Sequence, residues 1–315
     1  MRNYRILLLG SGKMAEKYAE VLNELKQNFV VIGRGKHSAK KFKERTGCGV
    51  KIGGLKANIN NIDSKMIAIV AVSVDQLFST TIDLLNIGIR RILLEKPGAI
   101  NLKEIKLINK LAKKKRAKIL IAYNRRFYQS VETIKKLSIK DGGILSVNFE
   151  FTERSHLIKH LKIKKKIKEN WLIANSSHVI DLVFHLCGKP KKINTLSEGK
   201  LSWHKRSSIF CGSGITKKNV LFSYFSNWNS PGNWKIEFMT KKNRYILNPL
   251  EKLKLIQSSN FKEKMIKFSS DIDSRFKEGV FNQTKNFLNR NDTIFCTLKE
   301  QEENFKIFYK IANYS

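Results

Sequence analysis

Apolar and polar positions along the first 122 residues fall into two kinds of block. Short, largely apolar runs at residues 4–9, 28–32, 66–72, 89–95 and 118–122, uninterrupted in the third, read as buried strands, the pattern of a parallel sheet. Between several of them, apolar residues recur every three or four positions, to about residue 25 after the first run and again over 75–86 and 102–114. These stretches read as amphipathic helices. Repeated βα units of this length predict an α/β fold class: a doubly wound parallel sheet with right-handed crossovers. After residue 122 the pattern changes. Residues 127–137 suit a helix, Gly142-Gly143 a turn and 145–151 an alternating strand. Segments 209–212, 220–228, 234–239 and 244–247 read as further strands, with Asn229-Ser230-Pro231-Gly232-Asn233 as a hairpin turn. A helix is expected over 171–182, capped by a polar residue near 175–177, and another over 298–311. A chain of 315 residues suits two domains, expected at 1–122 and 123–315.

Charge changes this picture only slightly. The formal net charge is +35, mostly from lysine, with local runs such as Lys113-Lys114-Lys115-Arg116 and Lys164-Lys165-Lys166. A nucleic-acid partner would explain it, but no aromatic-interleaved binding motif accompanies the basic residues. Lysine spread with abundant Ile and Asn is equally what an AT-rich genome gives, and such a field still attracts phosphate-bearing ligands. The lysine-rich stretch 157–168 reads as a mobile surface element. No apolar stretch is long enough for a membrane span or a signal-peptide core, so a cytoplasmic protein is expected. Cys48, Cys187, Cys211 and Cys296 are widely separated and show no metal-ligand spacing, so no metal site is expected.

The candidate chemistry sits at strand ends. Gly10-Ser11-Gly12-Lys13-Met14-Ala15 forms a glycine turn between the first strand and its helix, where free helix N–H groups hold a pyrophosphate. An acidic residue normally follows the second strand to bind the ribose 2′-hydroxyl. Here the sequence is Gly33-Arg34-Gly35-Lys36-His37-Ser38. With no carboxylate available, Arg34 is expected to stack on adenine or pair with a 2′-phosphate, aided by His37, Ser38 and Lys40; NADP is therefore expected over NAD. Ser73, at the end of the next strand, completes the expected cofactor contacts. The run Ile92-Leu93-Leu94-Glu95-Lys96-Pro97 ends abruptly on charge. A surface ion pair is one reading; a site beyond the carboxyl end of a parallel strand is the other.

The glycine turn with Met14, the strand closing on Glu95-Lys96-Pro97, and Tyr123-Asn124-Arg125-Arg126-Phe127 after the sixth strand resemble the Gfo/Idh/MocA oxidoreductases. That resemblance implies a cytosolic enzyme with an N-terminal Rossmann domain, moving hydride between a nicotinamide and a sugar or polyol. It implies a C-terminal α+β domain with a large, open, mostly antiparallel sheet, through which members often pair as homodimers or homotetramers. Lys96 becomes the expected acid–base, with Glu95 holding it beside the cofactor. His178 and Asp181 resemble the family's H-x-x-D segment, so His178 is expected to reach the substrate beside Lys96, with Asp181 as a further substrate contact. Asn124, Arg125 and Arg126 are expected to hold substrate hydroxyls or a phosphate. Residues 275–279 with Gln283 and Phe287 resemble the family's late helix. The chain departs from the family at Ala174, where many members carry an aspartate. Trp228 and Trp234 read as sugar platforms or as core. The substrate class expected is a sugar, including nucleotide-linked or amino sugars of surface polysaccharides. Alternatives are a non-sugar ketone, imine or lactone, or a non-catalytic nucleotide- or RNA-binding role.

Overall fold

The computed structural model describes residues 5–268 and 271–314. The chain forms two units. One holds the chain up to Phe127 and takes back Ile272–Glu303; the other holds Tyr128–Asp271 and the chain from Asn304 onward. The division thus falls after Phe127 rather than after residue 122, and a late segment returns to the first unit.

In the first unit, β1 (Ile6–Leu9), α1 (Lys13–Glu24), β2 (Phe29–Ile32), α2 (Lys36–Thr46), β3 (Val50–Lys51) and α3 (Gly54–Ala57) follow in order. They precede β4 (Ile67–Val70), α4 (Leu77–Ile87), β5 (Arg91–Glu95), α5 (Leu102–Lys114) and β6 (Lys118–Ala122). The expected start of the first strand at Tyr4 lies outside the described residues. β1 pairs in parallel with β2 on one side and β4 on the other, so strand order reverses at its carboxyl end, where open α/β sheets bind ligands. α5 begins where it does because the Asn101 side chain accepts the Glu104 N–H at 2.9 Å, while the Glu104 carboxylate accepts the Ile100 N–H at 3.1 Å.

The second unit opens with α6 (Gln129–Lys140), β7 (Ser146–Phe151), α7 (Ser155–Ile158) and α8 (Lys165–Lys168). A π-helical turn, Leu172–Ser176, then runs directly into α9 (Ser177–Cys187). The cap expected near residues 175–177 is absent: Ser176 keeps helical dihedrals, and the Asn175 and Ser176 side chains bond Glu153 instead. The sheet adds β8 (Pro190–Glu198), β9 (Ile209–Thr216), β10 (Leu221–Asn227), β11 (Trp234–Met239), β12 (Asn243–Leu247), β13 (Leu253–Gln257) and β14 (Glu263–Ile266). Its order is β14-β13-β12-β11-β7-β10-β9-β8, antiparallel except where β10 runs parallel to β7. This corrects the expected hairpin: β10 and β11 lie on opposite sides of β7, so the turn at residues 229–233 crosses over the end of β7. Trp228 belongs to the core, with 1% exposure, its indole stacked on Trp203 and donating to the Phe151 carbonyl.

The chain then returns to the first unit through α10 (Ile272–Arg275), α11 (Val280–Leu288), β15 (Cys296–Thr297) and the first turns of α12 (Leu298–Ala312). β15 pairs antiparallel with β6 and completes a seven-stranded sheet. Val280, Phe287, Leu288 and Phe295 join the core formed by Ile6, Leu8, Tyr18 and Leu22, each contributing roughly 2 kcal/mol by burial. Arg91 at the start of β5 fixes the same segment, donating to the Phe287 carbonyl at 2.6 Å and to Asp292 at 2.7 Å. Burial alone would raise the Asp292 carboxyl; hydrogen bonds and charge from Arg91 and Lys118 outweigh it and hold the group below its usual range.

Candidate functional site

A groove of about 600 Å³ opens at the carboxyl ends of β1, β2 and β4. Gly10 and Gly12 line it for different reasons. At Gly10, φ is +121° and a Cβ would lie 2.3 Å from the Ala71 carbonyl oxygen, so the fold itself demands glycine. At Gly12, which precedes α1, a Cβ would meet no atom within 4 Å. The missing side chain leaves the backbone open, as the approach of a pyrophosphate to a helix N-terminus requires.

Gly33 explains the missing ribose-binding acid. Any Cβ at this position would come within 2.7 Å of the Ser11 Oγ and 2.9 Å of Val50. Ser11 in turn donates to Ser38 at 2.9 Å and Ser38 to the Gly35 carbonyl at 3.0 Å, so the two halves of the groove are tied by hydroxyls. Arg34 is exposed and lies along Gly54, whose Cβ would touch the Arg34 Cγ at 3.0 Å. Lys56, which the sequence pattern did not single out, lines the same end, and Ser73 lines the groove as expected. Lys13 and His37 are exposed and lie outside its walls, and Met14 packs against the core. A groove with an open backbone at Gly12 and cations at Arg34 and Lys56 fits a phosphate-bearing dinucleotide.

Glu95 and Lys96 stand at the end of β5, also in the first unit. Glu95 is buried, and Tyr18 donates its hydroxyl to the carboxylate at 2.6 Å. Gln283 of α11 meets the same hydroxyl at 3.0 Å. One hydroxyl proton cannot serve both, and the shorter contact claims it, so Gln283 turns its amide N–H₂ toward the Tyr18 oxygen. Burial pushes the Glu95 carboxyl up, opposed by the Tyr18 hydrogen bond and by the charges of Lys96 and Lys277. Burial and Glu95 together push the Tyr18 hydroxyl well above its usual range. The Lys96–Pro97 peptide is cis, and the Gly98 N–H closes the turn onto the Glu95 carbonyl at 2.9 Å. Gln301 holds this turn by donating to the Pro97 carbonyl at 2.9 Å and the Tyr123 hydroxyl at 3.0 Å. Tyr18 and Gln301 carry no motif, and Gln283 was expected only as part of a late helix, so their place beside Glu95-Lys96 emerges only on folding.

The residues after β6 divide in role. Arg126 is 4% exposed, its guanidinium paired with Glu300 at 2.7 Å and donating to the Ile294 carbonyl. Asn124 is buried and donates to the Glu278 carbonyl at 2.9 Å. These two expected substrate contacts instead fasten the returning segment, and Arg125 between them is partly buried. In the second unit, His178 is buried on α9, its ring 6.1 Å from that of Trp234. Asp181, 1% exposed, accepts from Asn304 at 2.9 Å, and Lys189 donates to the same Asn304. The expected substrate contact at Asp181 is therefore a tie between α9 and α12.

A Rossmann sheet with a glycine turn at its switch point, and a buried Glu95 followed by a half-buried Lys96 at the end of β5, has the build of a dinucleotide-binding domain. Residues 4–123 match the family model GFO_IDH_MocA, described as oxidoreductase family, NAD-binding Rossmann fold, so this stretch is similar to the cofactor domain of that family, and the cofactor class is NAD(P). No curated protein sequence matches the chain. Among solved structures, a dehydrogenase from Clostridium difficile is 17% identical with a TM-score of 0.79, covering 100% of both chains. The UDP-N-acetylglucosamine 3-dehydrogenase of Acidithiobacillus ferrooxidans is 13% identical with a TM-score of 0.76, covering 100% of this chain and 98% of that one. An oxidoreductase from Agrobacterium radiobacter, solved with NAD+, L-tartaric acid and magnesium, is 10% identical with a TM-score of 0.78, over 99% and 96% of the two chains. At these identities the likeness is one of fold. Among the described residues, no helix is long and apolar enough to cross a membrane.

Proposed function

We propose that the protein is a cytoplasmic NADP-preferring oxidoreductase acting on a hydroxyl-bearing carbon of a sugar, including nucleotide-linked or amino sugars. The observation that carries this reading is the pairing of an open glycine cradle at Gly12 with the buried Tyr18–Glu95 network that anchors Lys96. The solved UDP-N-acetylglucosamine 3-dehydrogenase shares the fold and supports the substrate class as an analogy.

Gly10, Ser11, Gly12 and Ser73 would hold the dinucleotide in the groove, and Arg34 and Lys56 would face the 2′-phosphate. When bound, the nicotinamide supplies or takes up the hydride. Lys96 moves the proton at the carbinol oxygen, because a carbinol cannot lose its hydride as a stable carbonyl without also losing that proton. Tyr18, itself met by Gln283, holds the Glu95 carboxylate, and Glu95 keeps the ammonium of Lys96 beside it. His178 donates a hydrogen bond to the substrate, and Arg125 contacts its polar substituents.

On the sheet of the second unit, Leu196 and Phe225 lie in one row across β8, β9 and β10 and are 71% and 52% exposed. Such an apolar row suits pairing with a second copy, so the protein works as a homodimer or homotetramer. The test is NADPH- or NADP+-dependent turnover of a sugar panel by wild type and Lys96→Ala. The expected result is a loss of turnover of roughly 10²–10⁴-fold with cofactor affinity retained. Undiminished turnover in Lys96→Ala removes the lysine from this role.

A further inference from the structure

A pocket of about 550 Å³ lies in the first unit between α4 and α5, which pack side by side. Phe78 and Ile82 of α4 and Leu107 and Leu111 of α5 line it, and each pair is spaced so that both side chains share one helix face. Leu107 is 47% exposed and the other three are half-buried. Exposed leucines scattered singly are ordinary on a protein surface. Four apolar side chains converging on a concave space are not, and this one falls within the roughly 300–1,000 Å³ of small-molecule sites.

Charge gathers along one bank of this pocket. Lys106, Lys110 and Lys114 follow one another at i, i+4 spacing on α5, all exposed, and Lys110 and Lys114 line the pocket. Like charges at that spacing repel, so the row weakens the helix unless an anion lies against it. Lys114 also belongs to the basic run Lys113-Lys114-Lys115-Arg116, which hydride transfer leaves without a role. Lys56, Ser79 and Asp83 line the groove beyond β1 as well as this pocket, and so mark the border between the two hollows. Asp83, the one acid among the lining residues, therefore belongs to that border and not to the lysine bank. The apolar floor offers a ligand little besides hydrocarbon, because α4 and α5 satisfy their backbone groups internally. Sugar hydroxyls or a base edge lying there would give up hydrogen bonds to water without replacement.

We propose that this pocket binds an anionic amphiphile: a single alkyl or acyl chain lying over Phe78, Ile82, Leu107 and Leu111, with a phosphate or carboxylate head against Lys110 and Lys114. Burial of the chain supplies the drive and has no direction of its own; the two ammonium groups on one bank fix where the charged end lies. The site is independent of the sugar and cofactor chemistry proposed above.

The experiment titrates dodecyl phosphate, kept below its micelle concentration, into the full chain by calorimetry. Inorganic phosphate serves as a head without a tail, and the uncharged octaethylene glycol dodecyl ether as a tail without an anionic head. Wild type is expected to bind one dodecyl phosphate per chain, and each control roughly tenfold more weakly or worse. Leu107→Glu sets a carboxylate against the chain and is expected to weaken binding by roughly tenfold or more. The double variant Lys110→Gln, Lys114→Gln is expected to weaken it by about fivefold, since both ammonium groups are exposed to solvent screening. It provides the test should Leu107→Glu not fold. Undiminished binding by these variants overturns the assignment, as does equal binding of either control. Uptake of many dodecyl phosphate molecules per chain also overturns it, because that is coating of a basic surface. Sedimentation with anionic-lipid vesicles, without binding of monomeric dodecyl phosphate, overturns it as well and gives the lysine row to a membrane surface.

Discussion

The groove beyond β1 and a cavity beside the end of β7 are both open hollows, but they are built in opposite ways. The groove comes largely from consecutive residues: Gly10 to Gly12 make the turn, and α1 starts at once. The cavity comes from separate segments: residues 153–157 after β7, Leu201, and the crossover at 228–232. A site made by a local turn can be read from spacing. One made by tertiary packing becomes visible only when strand order is known, and here the strand order was the part that sequence misjudged.

The sharpest way to break this comparison is within the groove, where two glycines separate fold from ligand. Gly10→Ala places a Cβ on the Ala71 carbonyl at a positive φ. The expected loss is about 4 kcal/mol or more of stability, together with cofactor binding, read by denaturant unfolding and calorimetry. Gly12→Ala places a Cβ in open space and is expected to cost no more than about 1 kcal/mol as a weaker helix cap, while still abolishing cofactor binding. Equal destabilisation by both would erase the distinction.

The second unit is probed by acid. His204 is fully buried, with Nδ1 2.7 Å from the Ser207 carbonyl and Nε2 2.8 Å from the Tyr314 hydroxyl. A carbonyl only accepts, so Nδ1 carries the proton and Nε2 accepts from Tyr314, the arrangement of a neutral imidazole. Burial pushes the group from 6.5 down to about 4. Because the folded value is the depressed one, the unfolded chain takes up the proton first as pH falls. The associated stability is therefore complete above pH 6.5 and lost between there and about pH 4, roughly 3 kcal/mol in all. Melting curves of wild type and His204→Asn across that range check this, and the variant is expected to be less stable at pH 7 with a flatter acid limb.

The smallest effect expected is on cofactor choice. Arg34→Asp should weaken NADPH by about tenfold and NADH little, since the guanidinium is exposed and screened by solvent. Equal affinities for both cofactors in wild type would move Arg34 out of the site.

The legibility of the sequence follows the same division. β6 and α5 run over the expected residues, and β5 ends on Glu95 as expected, because strands buried on both faces and amphipathic helices leave strong periodic signals. β8 went unread since Pro190–Glu198 alternates only weakly and its lysines face solvent. β13 and β14, at the sheet's far edge, were missed for similar reasons. The return of Ile272–Glu303 to the first unit depends on Arg91 meeting Asp292, a contact far apart in sequence. Arg126 and Asn124 sit in a motif that suggested substrate, yet both are buried as fasteners, since the same chemistry that grips a ligand also grips a carboxylate or a carbonyl of the chain itself.

The most direct test of the account is calorimetric titration of NADPH and NADH into wild type and Gly12→Ala at moderate salt. The account predicts one site per chain, tighter for NADPH, that disappears in Gly12→Ala while the melting temperature is nearly kept. Failure of wild type to bind either cofactor, or undiminished binding by Gly12→Ala, would contradict it.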